Sequence, residues 1–216
     1  MMTYDEMYHE YKKLQAADEI RNLVSNYCFE HNCALQMRYF HKWSKREDIR
    51  HEMPWGNTTG HKNLEYNNPW HDVVRHPDDA ENMKGGAMFI HSTTTPVIEI
   101  ADDLQTARVV FLSPGFEGVA AKRAGTWAYS KYAYEFIYED GAWKVWHCRI
   151  FPVFRNDYFD DFGKVAEEDM TKVHHVGMED FNAFFRYGPD VIMPRNEPNP
   201  PQPYDTWAPG WNFGTD

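Results

Sequence analysis

Eleven histidines in 216 residues point either to metal binding or to proton transfer, and spacing separates the two. Zinc ligands recur at helical or hairpin steps such as HxxxH. Here His31, His41, His51, His61 and His71 recur at steps that match no helical face, and His174 and His175 are adjacent. No metal centre is expected. His91 is placed differently, since it alternates with Phe89, Thr93 and Thr95 along one face of a β-rich run. An imidazole among rings and hydroxyls suits general acid–base work near neutral pH. Further along, Tyr132 and Tyr134 share a face while Lys131 and Glu135 take the other. A phenol there would donate to a developing oxyanion. His147 and Arg149 share a face of the last strand, where a buried guanidinium would suit an acidic or phenolate-bearing ligand, and pairing with an acid is the competing reading.

Other chemistries lack their signatures. The chain has no Walker loop, dinucleotide fingerprint, GxSxG elbow or CxxC pair, so no nucleotide, hydride or acyl-enzyme chemistry and no cofactor is expected. Three cysteines, Cys28, Cys33 and Cys148, suggest reduced thiols rather than a disulfide framework. With 22 Lys and Arg against 33 Asp and Glu, the formal charge is −11. That argues against nucleic acid and anionic membranes as partners. No apolar run approaches the roughly 18 residues of a membrane span, and the acidic start reads as cytoplasmic. The 14 Phe, 13 Tyr and 8 Trp make a binding surface for a flat or aromatic small molecule plausible beside their core role.

Elements that would hold these residues follow from periodicity. Residues 4–33 lack Pro and Gly, and Met7, Tyr11, Leu14, Ala17, Ile20, Leu23, Val24, Tyr27 and Cys28 recur at three- and four-residue steps. That is one long amphipathic helix. A second helical piece is expected over 34–43. Residues 51–77 are loop-rich, with Pro54-Trp55-Gly56 and Asn67-Asn68-Pro69-Trp70 as turn signals. This segment should fold over something rather than form core, and Trp55 is read as a substrate-contacting ring. Strands are expected at 88–100, 106–113, 126–138 and 142–153, with Glu139-Asp140-Gly141 as a tight hairpin turn. Short connections imply a curved antiparallel meander whose concave face takes the helix. A short helix is expected at 178–187. Residues 188–216 hold seven of the 13 prolines and should run extended, anchored by Trp207 and Trp211.

The helix Glu19-Ile20-Arg21-Asn22-Leu23-Val24-Ser25-Asn26-Tyr27, the strand His91-Ser92-Thr93-Thr94-Thr95-Pro96-Val97-Ile98-Glu99-Ile100 and the hairpin from Tyr134 to Trp146 together resemble the SnoaL-like branch of the NTF2-like superfamily. The likeness spans about residues 10–155. It implies an α+β fold, a cone-shaped barrel in which a curved antiparallel sheet packs on N-terminal helices. An extended Pro-rich C-terminal tail would follow. The implied organisation is a SnoaL-like domain over 1–155, a helical extension over 156–187, and a tail over 188–216 lying on its own or a neighbouring subunit.

Relatives of this branch include scytalone dehydratase, bile-acid dehydratases, ketosteroid isomerases, lyases of lignin-derived diols and non-catalytic binding proteins. Fold alone does not choose among them. In the dehydratases a helix Tyr, an Asp about one turn later and a strand His surround the reacting carbon. Tyr27 matches the Tyr and His91 the His, whereas the Asp position holds Asn32. An amide exchanges no proton, so Asn32 is expected to bind substrate, and a local bend would turn His31 inward as a third catalytic group. The resemblance implies a cofactor-independent lyase or isomerase for a small hydroxylated aromatic or polycyclic compound. Water would be the leaving fragment, or formaldehyde from a hydroxymethyl-bearing diaryl compound. A binding protein without chemistry is the alternative, and a homo-oligomer, dimer or trimer, is expected.

Overall fold

The computed structural model describes residues 1–32, 42–53, 56–66, 87–119, 123–160 and 198–209. Most of the expected helix at 34–43, Trp55 and the expected helix at 178–187 lie outside the described residues; the last two positions, Lys42 and Trp43, are a turn and a parallel bridge to Val145 rather than helix.

Helix α1 (Tyr4–Asn32) opens on a capping box. The backbone N–H of Glu6 donates to Thr3 Oγ1 at 3.2 Å, and the Thr3 N–H donates back to Glu6 Oε2 at 2.7 Å. The helix extends as the periodicity predicts, but its stripe is only half used. Ala16, Ile20, Val24 and Tyr27 are buried, and full burial of an Ile or Val side chain contributes about 1.5–3 kcal/mol. Met7, Tyr11 and Leu14 stay exposed, because the first turns project past the sheet.

Strands β1 (Arg50–Met53), β2 (Gly56–Thr59), β3 (Ala87–His91), β4 (Thr94–Ile100), β5 (Thr106–Val119), β6 (Ala124–Glu139) and β7 (Ala142–Asp157) form one sheet, with a short helix α2 (His61–Tyr66) after β2. The order is β2-β1-β7-β6-β5-β3, with β4 also on β5. The long strands come where alternation places them, and the β6–β7 turn is the expected two-residue hairpin. Asp140 and Gly141 have φ of 52° and 76°, the left-handed pair that such a turn needs.

Four expectations change. The described residues between 50 and 66 are mostly not loop, for β1, β2 and α2 lie there. The Arg50–Met53 sequence RHEM carries no strand signal of its own, and its strand exists because β7 supplies the ladder. That pairing is parallel while the other strand pairs are antiparallel, so the sheet is mixed. The sheet is also curved but unclosed, ending on edge strands of four and five residues. Finally, the run at 88–100 is two strands, each antiparallel to β5, separated at Ser92 and Thr93.

Alternation then sorts the side chains by face. Val109, Phe111, Tyr132, Tyr134, Phe136 and Cys148 meet α1 in the main core on the concave face. Arg108, Glu135, His147 and Arg149 point to the opposite, convex face. The described stretch 198–209 crosses this side of the chain. Asp102 and Asp103 N–H groups donate to the Tyr204 and Asp205 carbonyls, each at 2.9 Å. The Arg108 guanidinium stacks 4.5 Å from the Tyr204 ring centre, and Trp207 packs 4.6 Å from Trp146.

Candidate active site

The last two turns of α1 and the end of β3 bring four of the sequence-predicted residues together. Tyr27 and His31, one helical turn apart, meet edge-to-face with ring centres 5.6 Å apart. His31 in turn stands edge-on to His91 at 5.1 Å and 85°. Its Nδ1–H donates to the Phe89 carbonyl at 3.3 Å, which places the imidazole lone pair on Nε2. Burial first, then the neighbouring His91 imidazole, lower its pKa against the opposing pull of that hydrogen bond: His31 is pushed down to about 4 and is neutral at physiological pH. Asn32 is exposed at the end of the helix. Its Oδ1 accepts the backbone N–H of His91 at 3.2 Å, tying the helix end to β3. One turn earlier, Cys28 Sγ lies 3.1 Å from Thr93 Oγ1.

A fifth residue, Glu117, completes the cluster. Its Oε1 lies 3.2 Å from His91 Nε2, and Arg155 donates to Oε2 through Nη2 at 2.7 Å and Nε at 3.2 Å. Burial alone would raise this carboxyl, but the bonds from His91 and Arg155 outweigh it and bring it down to about 2. An ionised carboxylate therefore takes the Nε2–H of His91 and leaves the lone pair on Nδ1. That nitrogen lies over Gly115, His91's partner in the β3–β5 register, where a Cβ would stand 2.7 Å away. The glycine lets the imidazole approach β5 this closely.

Sequence reasoning missed Glu117 because Ser113-Pro114-Gly115 reads as the end of a strand. The strand continues past the proline for a local reason. The Pro114 carbonyl accepts the Ser92 N–H, so the missing N–H of the proline faces the gap between β3 and β4, where little ladder is lost. The usable signal was the odd-numbered series Phe111, Ser113, Gly115 and Glu117, which keeps one face throughout.

The other predicted residues divide by face. Tyr132 is 4% exposed on the concave side. Burial, then the nearby thiol of Cys148, pushes its phenol up, and Ser113, Cys28 and Glu117 lie in its surroundings, so it stays protonated. Tyr134 is deeper, packed between Phe111 and Phe136 with its hydroxyl toward Cys148. His147 and Arg149 belong to convex-face ion pairs. His147 Nδ1 lies 2.6 Å from Glu135 Oε2, whose Oε1 takes Arg108 Nε at 3.1 Å. Arg149 Nε pairs with Glu52 at 2.9 Å. These two are not brought to the His91 cluster. Among the described residues, no group of three His, Cys, Asp or Glu side chains is arranged to hold a metal ion.

Residues 58–149 match the SnoaL-like domain family. Solved structures with a similar fold include a provisionally assigned scytalone dehydratase from Novosphingobium aromaticivorans, 14% identical over 69% of this chain and 91% of that one, with a TM-score of 0.52. They also include the hexachlorocyclohexane dehydrochlorinase LinA-type3 from Novosphingobium barchaimii, 15% identical over 70% and 96%, TM-score 0.54. A third is an NTF2-like protein with a cystatin-like fold from Novosphingobium aromaticivorans, 14% identical over 69% and 90%, TM-score 0.52. At these identities the likeness is one of fold. No curated protein matches.

Proposed function

We propose, from the match of residues 58–149 to the SnoaL-like domain family and the fold shared with NTF2-like proteins, that this chain is a cofactor-independent lyase or isomerase. Its substrate in this reading is a small hydroxylated aromatic or polycyclic compound. The observation that carries it is the His91–Glu117 pair at 3.2 Å on the concave face, beside neutral His31 and Tyr27.

The pair works as an oriented base. Glu117 holds the Nε2–H, Nδ1 accepts a proton from a substrate carbon, and the carboxylate stabilises the imidazolium that results. Returning that proton to a departing hydroxyl completes a dehydration. Returning it to another carbon completes an isomerisation. Tyr27 orients a substrate oxygen, and the neighbouring rings exclude water. The dehydratase relatives place their carboxylate on the helix; here Asn32 has become a backbone clamp, and the sheet supplies the carboxylate instead. Release of formaldehyde from a hydroxymethyl-bearing diaryl compound uses the same base, acting on an O–H.

Purified protein is to be incubated with a panel of hydroxylated aromatics and the products weighed for loss of about 18 or about 30 mass units, the masses of water and formaldehyde. A positioned base contributes about 10²–10⁴-fold, so His91→Ala should lower turnover by that factor while the fold survives. Compounds that bind and emerge unchanged would make the chain a binding protein. Light scattering tests the expected dimer or trimer.

A further inference from the structure

Ser113 lies on the same face of β5 as Gly115 and Glu117, and it is 1% exposed. Its hydroxyl has no aligned hydrogen-bond partner among the described residues. A buried hydroxyl left in that state costs about 1–3 kcal/mol, so a core position would favour Ala. Tyr132 sits diagonally across the β5–β6 register, opposite Phe111, while Ser130 stands directly opposite Ser113. A diagonal neighbour is within reach of an aromatic side chain, and the two hydroxyls are close enough for Ser113 to act on the ionisation of the phenol.

The residues beside this pair on the sheet are small. Ser113, Gly115, Ala128 and Ser130 form a small-residue floor on adjacent strands, with Gly115 opposite Ala128. His91 rests over Gly115. Two residues of strand separate Ser113 from Gly115, about 6.7 Å along the chain. That is the span between a base that takes a proton from carbon and donors that hold an oxygen one or two bonds further on.

We propose that Ser113 and Tyr132 form an oxygen-binding pair that takes the carbonyl oxygen of a conjugated substrate, which becomes phenolate-like as charge develops on it, while His91 faces its acidic C–H. The inference rests on the function proposed above and names the substrate feature that function requires. In the step, the C–H bond breaks, the proton goes to His91 Nδ1, and the electron pair moves into the conjugated system onto the oxygen held by the two hydroxyls. The proton then returns to a second carbon, or to a β-hydroxyl that leaves as water as the C–O bond breaks. Both partners are uncharged donors, so the pair selects a neutral or singly anionic oxygen rather than a carboxylate or phosphate.

The test uses the full chain and a series of para-substituted phenols of graded acidity, each paired with its methyl ether, with affinities read by calorimetry. The wild type should prefer each phenol over its ether, increasingly so with acidity. Ser113→Ala should erase about tenfold of that preference while the fold survives. Tyr132→Phe should do the same where it folds. An unchanged phenol preference in Ser113→Ala would overturn the pair, as would equal loss of phenols and ethers. Ser113-dependent phenol binding with no turnover of any panel compound would leave the pair standing and remove the lyase or isomerase reading. Turnover that Ser113→Ala leaves intact would do the reverse.

Discussion

Asn32 Oδ1 accepts the backbone N–H of His91 at 3.2 Å, so the residue standing where a dehydratase carries its acid instead fastens the end of α1 to the strand of the base. Asn32→Ala should leave that N–H without its acceptor and cost about 1 kcal/mol. Asn32→Asp keeps an acceptor and should cost less. Urea denaturation of the two variants checks the order, and equal losses would detach the amide from this role.

Glu117 is the group whose removal should hurt both fold and chemistry. Glu117→Gln keeps the shape but leaves Arg155 facing a neutral amide and removes the anion from His91. A loss of about 10²-fold in turnover is expected, with about 1–3 kcal/mol of stability, because breaking a largely buried pair strands the other charge. Kinetics at saturating substrate, where one is found, should place the loss in kcat rather than KM.

Gly115 should tolerate no side chain. A Cβ would stand 2.7 Å from His91 Nδ1 and 3.1 Å from the Ile90 carbonyl oxygen. Gly115→Ala must therefore rotate the imidazole or part β3 from β5. Overpacking of this kind costs about 1–3 kcal/mol, and the His91 ring resonances should shift in NMR spectra. Unchanged His91 resonances in the variant would show that the ring does not rest over the glycine.

His31 predicts a pH dependence. Its folded-state value is about 4 against 6.5 as the ordinary value. The unfolded chain thus binds the extra proton first, and stability should fall as pH drops from about 6.5 to about 4. The half-buried ring contributes about 2 kcal/mol over that window. Glu117, lowered to about 2 from 4.5, adds a separate loss between about 4.5 and 2. His31→Gln, which can still donate to the Phe89 carbonyl, should shrink the loss in the upper window without abolishing it, because buried His51 is also pushed down to about 4. Denaturation midpoints at pH 7, 5.5 and 4.5 decide it.

Local chemistry carried much of this protein in its sequence. Thr3 and Glu6 cap α1, the three- and four-residue repeat extends it, and alternation writes β5, β6 and β7 with the Asp140-Gly141 turn between the last two. Each of these depends on neighbours within a few residues, and so did the suggestion that Tyr27, His31 and His91 belong together, which came from the resemblance of their elements to a known family. Tertiary structure alone decided the rest. β1 became a strand because β7 offered it a parallel ladder. Glu117 reached His91 only because β5 passes Pro114 at the gap between β3 and β4. His147 and Arg149 went to the convex face, where Glu135 and Glu52 pair with them. In every such case the partner lies far along the chain, and a pairing across strands is chosen by register and burial, quantities that exist only once the sheet has formed.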